Sequence, residues 1–527
     1  MIDTRQQTLA QFQGETPLDI LVVGGGIIGA GIALEAARAD LRTGLIEARD
    51  FASGTSSRSS KLVHGGLRYL RQGQLLLMQT AVRERTALLR DAPGLVEPLD
   101  FMLPIRQGDR PGRHIYGVGL AIYDLLAGKR TRHWLDADQL RNRIPSLRAD
   151  DLTGGWKYTD AQTDDARLVL RVLQEARSLG AAAINYVRVT DWLRGRDGDV
   201  CGAKALDQET NQELSINARC VINASGSWTD SLRRLLGGDQ RIRPLRGSHL
   251  LFSYARIPLK EAVAFAHPKD KRAVFALPWE GAVLVGTTDL DHSDDLDREP
   301  AITVEETDYL IAALNTQFPK LNLKASDALS SWSGVRPVVS SGTSRAPSDE
   351  AREHFISDEN GLISVCGGKL TTFRSMALDV LKHAAKKLPQ LKKLKSAKIF
   401  AAPTATDPPR EWPAEVYRCM LGRHGDGLTT LIDCAEAGEL SLIPDTKTPF
   451  AELRYACRHE QVLHLDDLLL RRTRLGLLQP NGAKALLPRL KKMIQTELGW
   501  DDAKWKSEAA RYQELCERCY SIPQASQ

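Results

Sequence analysis

The chain opens with a polar leader, and the first clear pattern is a continuous apolar run at residues 19–23, the signal of a strand covered on both faces. A glycine turn follows at residues 24–29, and residues 32–39 have the alanine-rich composition of a closely packed helix. A second apolar run at residues 44–46 ends at Glu47, which completes a β-α-β pattern. From there to about residue 154 the pattern reads as mostly helical, with an arginine-rich stretch at 80–90 and a proline-bounded loop around 106–112. Residues 220–223 read as a strand running into Ala224, Ser225 and Gly226, a second strand-to-turn transition that can return to the same sheet. Short apolar strands separated by turns are predicted at 249–252, 273–277 and 282–286. A last strand at 362–366 meets Gly367 and Gly368 and opens a helix at Leu370. Lysines then accumulate between 382 and 398, and Pro403, Pro408, Pro409 and Pro413 follow, a composition shift that marks a linker. Beyond it, apolar residues recur at helical spacing in 462–478 and 485–494.

A chain of 527 residues holds more than one hydrophobic core, on the order of three to four domains at about 150 residues each. Its 42% hydrophobic and 26% charged residues exclude wholesale disorder. A net charge of +5 is too dilute for a nucleic-acid binder, although local basic patches remain open to phosphate or anionic lipid. The eight cysteines form no framework, and the first twenty residues carry Asp3, Arg5, Glu15 and Asp19 in place of an apolar signal core. The chain therefore reads as cytoplasmic and reduced. Cys516 and Cys519 have C-x-x-C spacing without a second pair, which reads as structural, and no metal site is expected. The longest uncharged run, 20–34, is shorter than the roughly 20 apolar residues of a spanning helix, so none is predicted.

The chemistry begins at the glycine turn. Gly24, Gly26 and Gly29 form G-x-G-x-x-G between a strand and a helix, with Glu47 at the end of the next strand. Gly24 permits the tight turn, Gly26 lets backbone approach a pyrophosphate, and Gly29 allows the helix to pack on the sheet. The helix N-terminus offers N–H groups to the anion, and Glu47 accepts hydrogen bonds from a ribose. Two further stretches favour FAD over NAD. Residues 53–61, with Ser53, Thr55 and Ser56, line up hydroxyls and cations suited to a long cofactor. Gly367, Gly368, Leu370 and Thr371 put a second glycine turn at a helix start, where the dipole can stabilise charge on a reduced flavin.

These residues resemble the FAD-dependent, quinone-linked glycerol-3-phosphate dehydrogenases, within the broader D-amino-acid-oxidase-like flavoproteins. The resemblance runs from about residue 18 to 381 and is carried by GGGIIGAG (24–31), SGTSSRSSKLVHGGLRYL (53–70), DDARLVL (164–170), RGSHLL (246–251), GTTD (286–289), SGVRPV (333–338) and GGKLTTFR (367–374). A weaker match, DDLLLRRTRLGL, lies at 466–477. It implies an α/β fold: a Rossmann-like FAD-binding domain built from discontinuous segments (17–80, 155–235 and 336–385) and a β-rich substrate domain (81–154 and 236–335). A basic, proline-rich linker (386–410) and a helical C-terminal domain (411–527) complete it. It also implies oxidation of sn-glycerol 3-phosphate to dihydroxyacetone phosphate, with electrons passed to membrane quinone, and a homodimer.

The residues fit that reaction. A phosphomonoester is clamped by guanidinium forks and held by lysine as a point charge, and Arg336, Arg68, Lys369 and Arg352 are the candidates, with Arg336 and Lys369 foremost. Proton removal from the C2 hydroxyl calls for a histidine, and His249 and His64 both stand in motifs; Tyr69 can orient substrate or cover the flavin. Only one dinucleotide fingerprint is present, which leaves quinone or oxygen as the oxidant. A chain lying on the inner face of the cytoplasmic membrane needs an apolar face flanked by cations. Ile115, Val118, Leu120, Ile122, Leu125 and Leu126, between Arg110, Arg113, Lys129, Arg130 and Arg132, supply that pattern, which a buried helix would share. Two rivals stand beside this reading: a soluble oxidase that makes hydrogen peroxide, and a non-catalytic FAD-binding membrane sensor.

Overall fold

A computed structural model describes residues 2–14, 16–66, 74–340, 354–394, 397–404 and 406–523. The apolar run at the start of the pattern is the strand Leu18–Val23, and it lies in the middle of a sheet. It pairs in parallel with Thr43–Ile46 on one side and with Gln212–Asn223 on the other. Parallel pairing continues to Ala182–Ile184 at one end and to Leu362–Gly367 at the other, where His354–Glu359 adds an antiparallel edge. Central parallel strands are covered on both faces, which is why they read as unbroken apolar runs.

The helix Ile27–Ala37 lies almost wholly buried between this sheet and the helices Asp165–Ser178 and Phe373–Ala384. Its small residues are what allow that approach. A Cβ on Gly31 would stand 2.8 Å from the Phe373 ring. The stretch expected to be a linker sends Leu388, Leu391, Ile399 and Phe400 into the same core.

A second, mainly antiparallel sheet of ten strands carries the residues between these segments. Near one edge of it lies Ile242–Ser253, paired with Ala282–Gly286 on one side and with Ala328–Val339 along nearly its whole length on the other. Here the sequence expectation needs correction. The region up to residue 154, expected to be mostly helical, contributes the strands Val96–Arg106 and His133–Asp136 and the start of Leu152–Thr163. Pro98 and Pro104 disguise the first of these as a loop. The strand forms because it finds a continuous antiparallel partner in Leu152–Thr163, a long-range pairing that no local pattern reports.

The C-terminal helices pack on both parts. A turn of π-helix, Asp467–Arg472, faces the first sheet's side, while Leu465, Leu468, Leu469 and Leu475 join Trp279, Leu284 and Trp332 of the second sheet in one apolar cluster. His464 bridges Glu209 (3.3 Å) from the hairpin next to the first sheet and Glu508 (3.0 Å) from the last helix. Burial opposes its charge, but the two carboxylates outweigh burial and push its pKa up to about 10. Its bound proton stabilises the fold fully below the ordinary pKa of about 6.5, and this contribution disappears as pH rises through about 10. The melting-temperature difference between the wild type and His464→Gln is expected to be largest near pH 6 and to shrink steadily towards pH 10, as a thermal-shift series across pH would show.

Candidate active site

The glycine turn, Glu47 and the serine loop, though distant in sequence, come together at the carboxyl end of the first sheet. Gly24 has φ +117°, and a Cβ there would stand 2.7 Å from the Ala224 carbonyl carbon, so the turn runs directly against the second strand-to-turn transition. A Cβ on Gly29 would overlap the carbonyl oxygen of Gly24. Glu47 accepts the amide of Gly25 at 2.6 Å and that of Arg49 at 2.8 Å. Burial is the main influence on its carboxyl and raises its pKa. Ser56 Oγ accepts the Ile27 amide at 3.0 Å and lies over Gly26. Ser53 is held by its amide on the Asp50 carbonyl (3.1 Å), and Thr55 donates to the Val335 carbonyl (2.5 Å), which ties the loop to the second sheet.

The second glycine turn sits two strands away. Gly367 and Gly368 have φ +82° and +71°, after which Lys369 leads into the 3-10 turn Leu370–Thr372. Thr371 Oγ1 accepts the His64 amide at 3.1 Å, so the HGG segment lies against this turn. The structure thus joins Gly24, Gly26, Gly29, Glu47 and Ser56 at one turn, and His64 with Thr371 and Leu370 at the other. Arg68, Tyr69 and Arg352 fall outside the described residues.

A cradle of glycine, anion-facing helix terminus, ribose-facing carboxylate and hydroxyls is the chemistry a dinucleotide requires. Gly26 supplies the open backbone, since among the described residues the only atom close to a Cβ placed there is the Ser56 hydroxyl, at 3.2 Å. The residues present therefore fit FAD.

Between the two sheets lies the remaining chemistry. On one face of the second sheet the pairs His249–Trp332, Gly247–Gly334 and Leu245–Arg336 follow one another in register. The paired glycines leave a gap between an imidazole and a guanidinium, and the Arg336 guanidinium reaches into it, because a Cβ on Gly247 would overlap Nη2. Arg336 donates to Asp289 Oδ1 (2.8 Å) and Thr287 Oγ1 (3.1 Å), both from the GTTD stretch. The loop 55–60 covers the same face: a Cβ on Gly334 would stand 2.7 Å from the Arg58 carbonyl oxygen. Ser60 Oγ lies 2.8 Å from His249 Nε2.

His249 is buried, stacks on Trp332 at 5.2 Å, and has no partner for Nδ1 among the described residues. Burial first, then the positive Arg336 and Lys61, hold its pKa well below 6.5, so the ring is neutral at neutral pH. Sequence reasoning named His249 and Arg336 but missed Ser60, Asp289 and Thr287 as their partners. All three stand inside quoted motifs, yet only strand register and loop packing reveal what they touch.

A parallel sheet with a glycine-lined dinucleotide cradle, joined to an antiparallel sheet that closes over it, defines a dinucleotide-dependent oxidoreductase. The model of the FAD dependent oxidoreductase family matches residues 19–374, and that of the C-terminal domain of alpha-glycerophosphate oxidase matches 366–505. The aerobic glycerol-3-phosphate dehydrogenase of Staphylococcus haemolyticus (strain JCSC1435) is 35% identical over 485 residues, 86% of each chain. That of Staphylococcus aureus (strain USA300) is 34% identical over the same length, again 86% of each. The crystal structure of the glycerol-3-phosphate dehydrogenase from Bacillus halodurans complexed with FAD superposes with a TM-score of 0.76 at 30% identity, covering 98% of this chain and 96% of that one. Glycine oxidase from Geobacillus kaustophilus shares the fold over 72% of this chain and 96% of its own, with a TM-score of 0.54 and 20% identity. The chain belongs to the FAD-dependent oxidoreductases, in the group of the aerobic glycerol-3-phosphate dehydrogenases, and FAD is its cofactor.

Gly29→Ala places a methyl group where the Gly24 carbonyl lies, so the turn must open. Such overpacking costs about 1–3 kcal/mol of stability. The purified variant is expected to retain less than about a tenth of the wild-type flavin-to-protein absorbance ratio.

Proposed function

We propose that this protein oxidises sn-glycerol 3-phosphate to dihydroxyacetone phosphate and passes the electrons to membrane quinone. The observation that carries this reading is the Gly247–Gly334 pair between His249 and Arg336, which lets the guanidinium and the cofactor loop lie directly on the sheet beside the imidazole. Arg336, steered by Asp289 and Thr287, offers a guanidinium fork to the phosphate, and Lys369 beside the second glycine turn is the companion cation. When bound, FAD supplies the acceptor for the hydride leaving C2.

His249 is the proton acceptor in this reading. Neutral at physiological pH, it has one ring nitrogen pinned on Ser60 and the other without a protein partner among the described residues. Burial is the main cause of the low imidazole pKa, and a phosphate dianion paired with Arg336 would offset only that residue's smaller share, raising the ring's basicity in part. His64, fixed by its amide on Thr371, is the alternative acceptor.

The test is anaerobic bleaching of the flavin absorbance near 450 nm (on the order of that wavelength for an oxidised flavin) by sn-glycerol 3-phosphate. Stoichiometric bleaching supports the assignment, and its absence from a folded, flavin-loaded protein removes it. Reoxidation by a quinone analogue in preference to oxygen supports the acceptor, whereas peroxide formation favours the oxidase. Gly247→Ala pushes on the Arg336 guanidinium and on the Thr287 hydroxyl that holds it. The half-saturating substrate concentration for bleaching is expected to rise at least about tenfold with the melting temperature unchanged.

The membrane contact is assigned to the packed helices Leu75–Asp91 and Arg113–Ala127. Among the described residues no helix is long and apolar enough to cross a membrane. Leu76, Ile115, Val118 and Leu125 are 80%, 67%, 62% and 80% exposed, a single apolar stripe bordered by the exposed Arg110, Arg113, Lys129 and Arg130. The opposite side of the helix is firmly anchored, since the Tyr123 hydroxyl donates to Asp160 (2.7 Å) and accepts from Arg85 (2.7 Å) and the Gly65 amide (2.9 Å). The double variant Ile115→Asp, Leu125→Asp is expected to lose at least about nine-tenths of its binding to anionic vesicles in a flotation assay. Flavin bleaching by substrate should remain at the wild-type rate.

A further inference from the structure

Arg474 belongs to the C-terminal part of the chain, at φ +59°, and only 1% of it is exposed. It is held from several directions. Nε and Nη2 donate to Asp164 at 3.0 and 2.8 Å, and Nη2 also meets Asp165. Nη1 donates to the carbonyl of Leu470 at 2.7 Å and to that of Ser57 at 3.3 Å.

Asp165, fully buried, is occupied on its other sides by the cofactor loop. It accepts the Ser59 amide (3.0 Å), the Ser59 hydroxyl (2.7 Å) and the Lys61 ammonium (2.8 Å). The Lys61 ammonium also donates to the Ser57 carbonyl at 2.6 Å and stands 5.0 Å from the ring of Trp332, the ring that stacks on His249. Ser60, flanked by these two clamped residues, presents its hydroxyl to His249 Nε2. Charge-assisted bonds thus run from the C-terminal part through Asp165 to Ser59 and Lys61, and the chain between those two carries Ser60 to the candidate base.

We propose that Arg474 is a positioning residue for His249: by fixing Asp165 it locks the 57–61 loop so that Ser60 holds the imidazole in its proton-accepting orientation. This inference rests on the reading in which His249 takes the substrate proton. It gives the C-terminal part of the chain a role in the reductive half-reaction although none of the contacts described above places it against substrate or flavin. Arg474 is suited to the task because a fork can span two neighbouring carboxylates and two carbonyls at once, which a lysine cannot.

The experiment uses the full-length, flavin-loaded protein and four variants: Arg474→Met, Arg474→Lys, Ser59→Ala and Ser60→Ala. Two readouts are taken: the limiting rate and half-saturation of anaerobic bleaching by sn-glycerol 3-phosphate, and amide hydrogen exchange of the peptide covering residues 57–61. Ser59→Ala removes the two bonds of one hydroxyl, that donated to Asp165 and that accepted from the Lys61 amide, and is expected to keep its melting temperature and flavin content. Its limiting rate should fall roughly tenfold, its half-saturation should change less than about twofold, and exchange at 57–61 should rise about tenfold. Arg474→Met should show both effects at least as strongly, and Arg474→Lys should recover part of each. Combining Arg474→Met with Ser60→Ala should be no slower than Ser60→Ala alone, because both act through one bond.

Limiting rates that stay at the wild-type value in the Arg474 variants, or effects that multiply in the double variant, overturn the proposal. If Arg474→Met does not fold, an unchanged rate and exchange in Ser59→Ala overturns it instead. Failure of the wild type to bleach removes the substrate assignment alone. The exchange measurement needs no substrate, and unchanged exchange at 57–61 in the variants still overturns the clamp.

Discussion

The adjacent carboxylates of Asp164 and Asp165 are the constraint around which the molecule is assembled. They open the helix Asp165–Ser178, where Asp164 caps the first turn by accepting the Arg167 amide at 3.1 Å. Both are buried, and charge in that position is tolerable only because Arg474 and Lys61 surround it. The net stabilisation from such a cluster is small, because desolvation offsets attraction, but removing one partner costs roughly 3–5 kcal/mol. The cluster therefore works as a specificity device. The helix Asp165–Ser178, the cofactor loop and the C-terminal part must all be in place before the whole cluster is satisfied. Asp50, held by Arg471 and Arg472 from the same C-terminal turn, repeats the arrangement on the other side of the loop.

From that junction the division of labour between the sheets follows. The parallel sheet carries the anion-facing helix and the two glycine turns, and its buried strands leave the carboxyl ends open for a long cofactor. The antiparallel sheet has one face free to oppose the cofactor loop, and there the Gly247–Gly334 pair separates His249 from Arg336. A side chain at either glycine would collide with the Arg336 guanidinium or the Arg58 carbonyl that lies there. The low imidazole pKa has the same origin: the sheet buries the ring beside two cations and leaves it neutral.

The apolar stripe on the helix Arg113–Ala127 and the anchoring of Tyr123 on its inner side belong together. On that inner side Tyr123, Arg85 and Asp160 join the helix to the fold through buried hydrogen bonds. The same hydroxyl receives the Gly65 amide, next to His64, so the outer helix and the site share one anchor.

What the sequence determined by itself was local. The order strand, glycine turn, helix and acid around Gly24–Gly29 and Glu47 is written in period and spacing, because a central parallel strand must be apolar throughout and a pyrophosphate turn must lack side chains. His249, His64, Arg336 and Lys369 could be named because their motifs place them beside glycine. Tertiary structure alone decided what each of them meets. That Val96–Arg106 is a strand despite two prolines depends on a partner some fifty positions away in the chain. That Ser60 faces His249, that Asp289 aims Arg336, and that Arg474 closes on Asp165 are contacts between segments separated by 189, 47 and 309 positions. Periodicity reports which face of an element is buried; only the packed fold reports which buried charges answer one another.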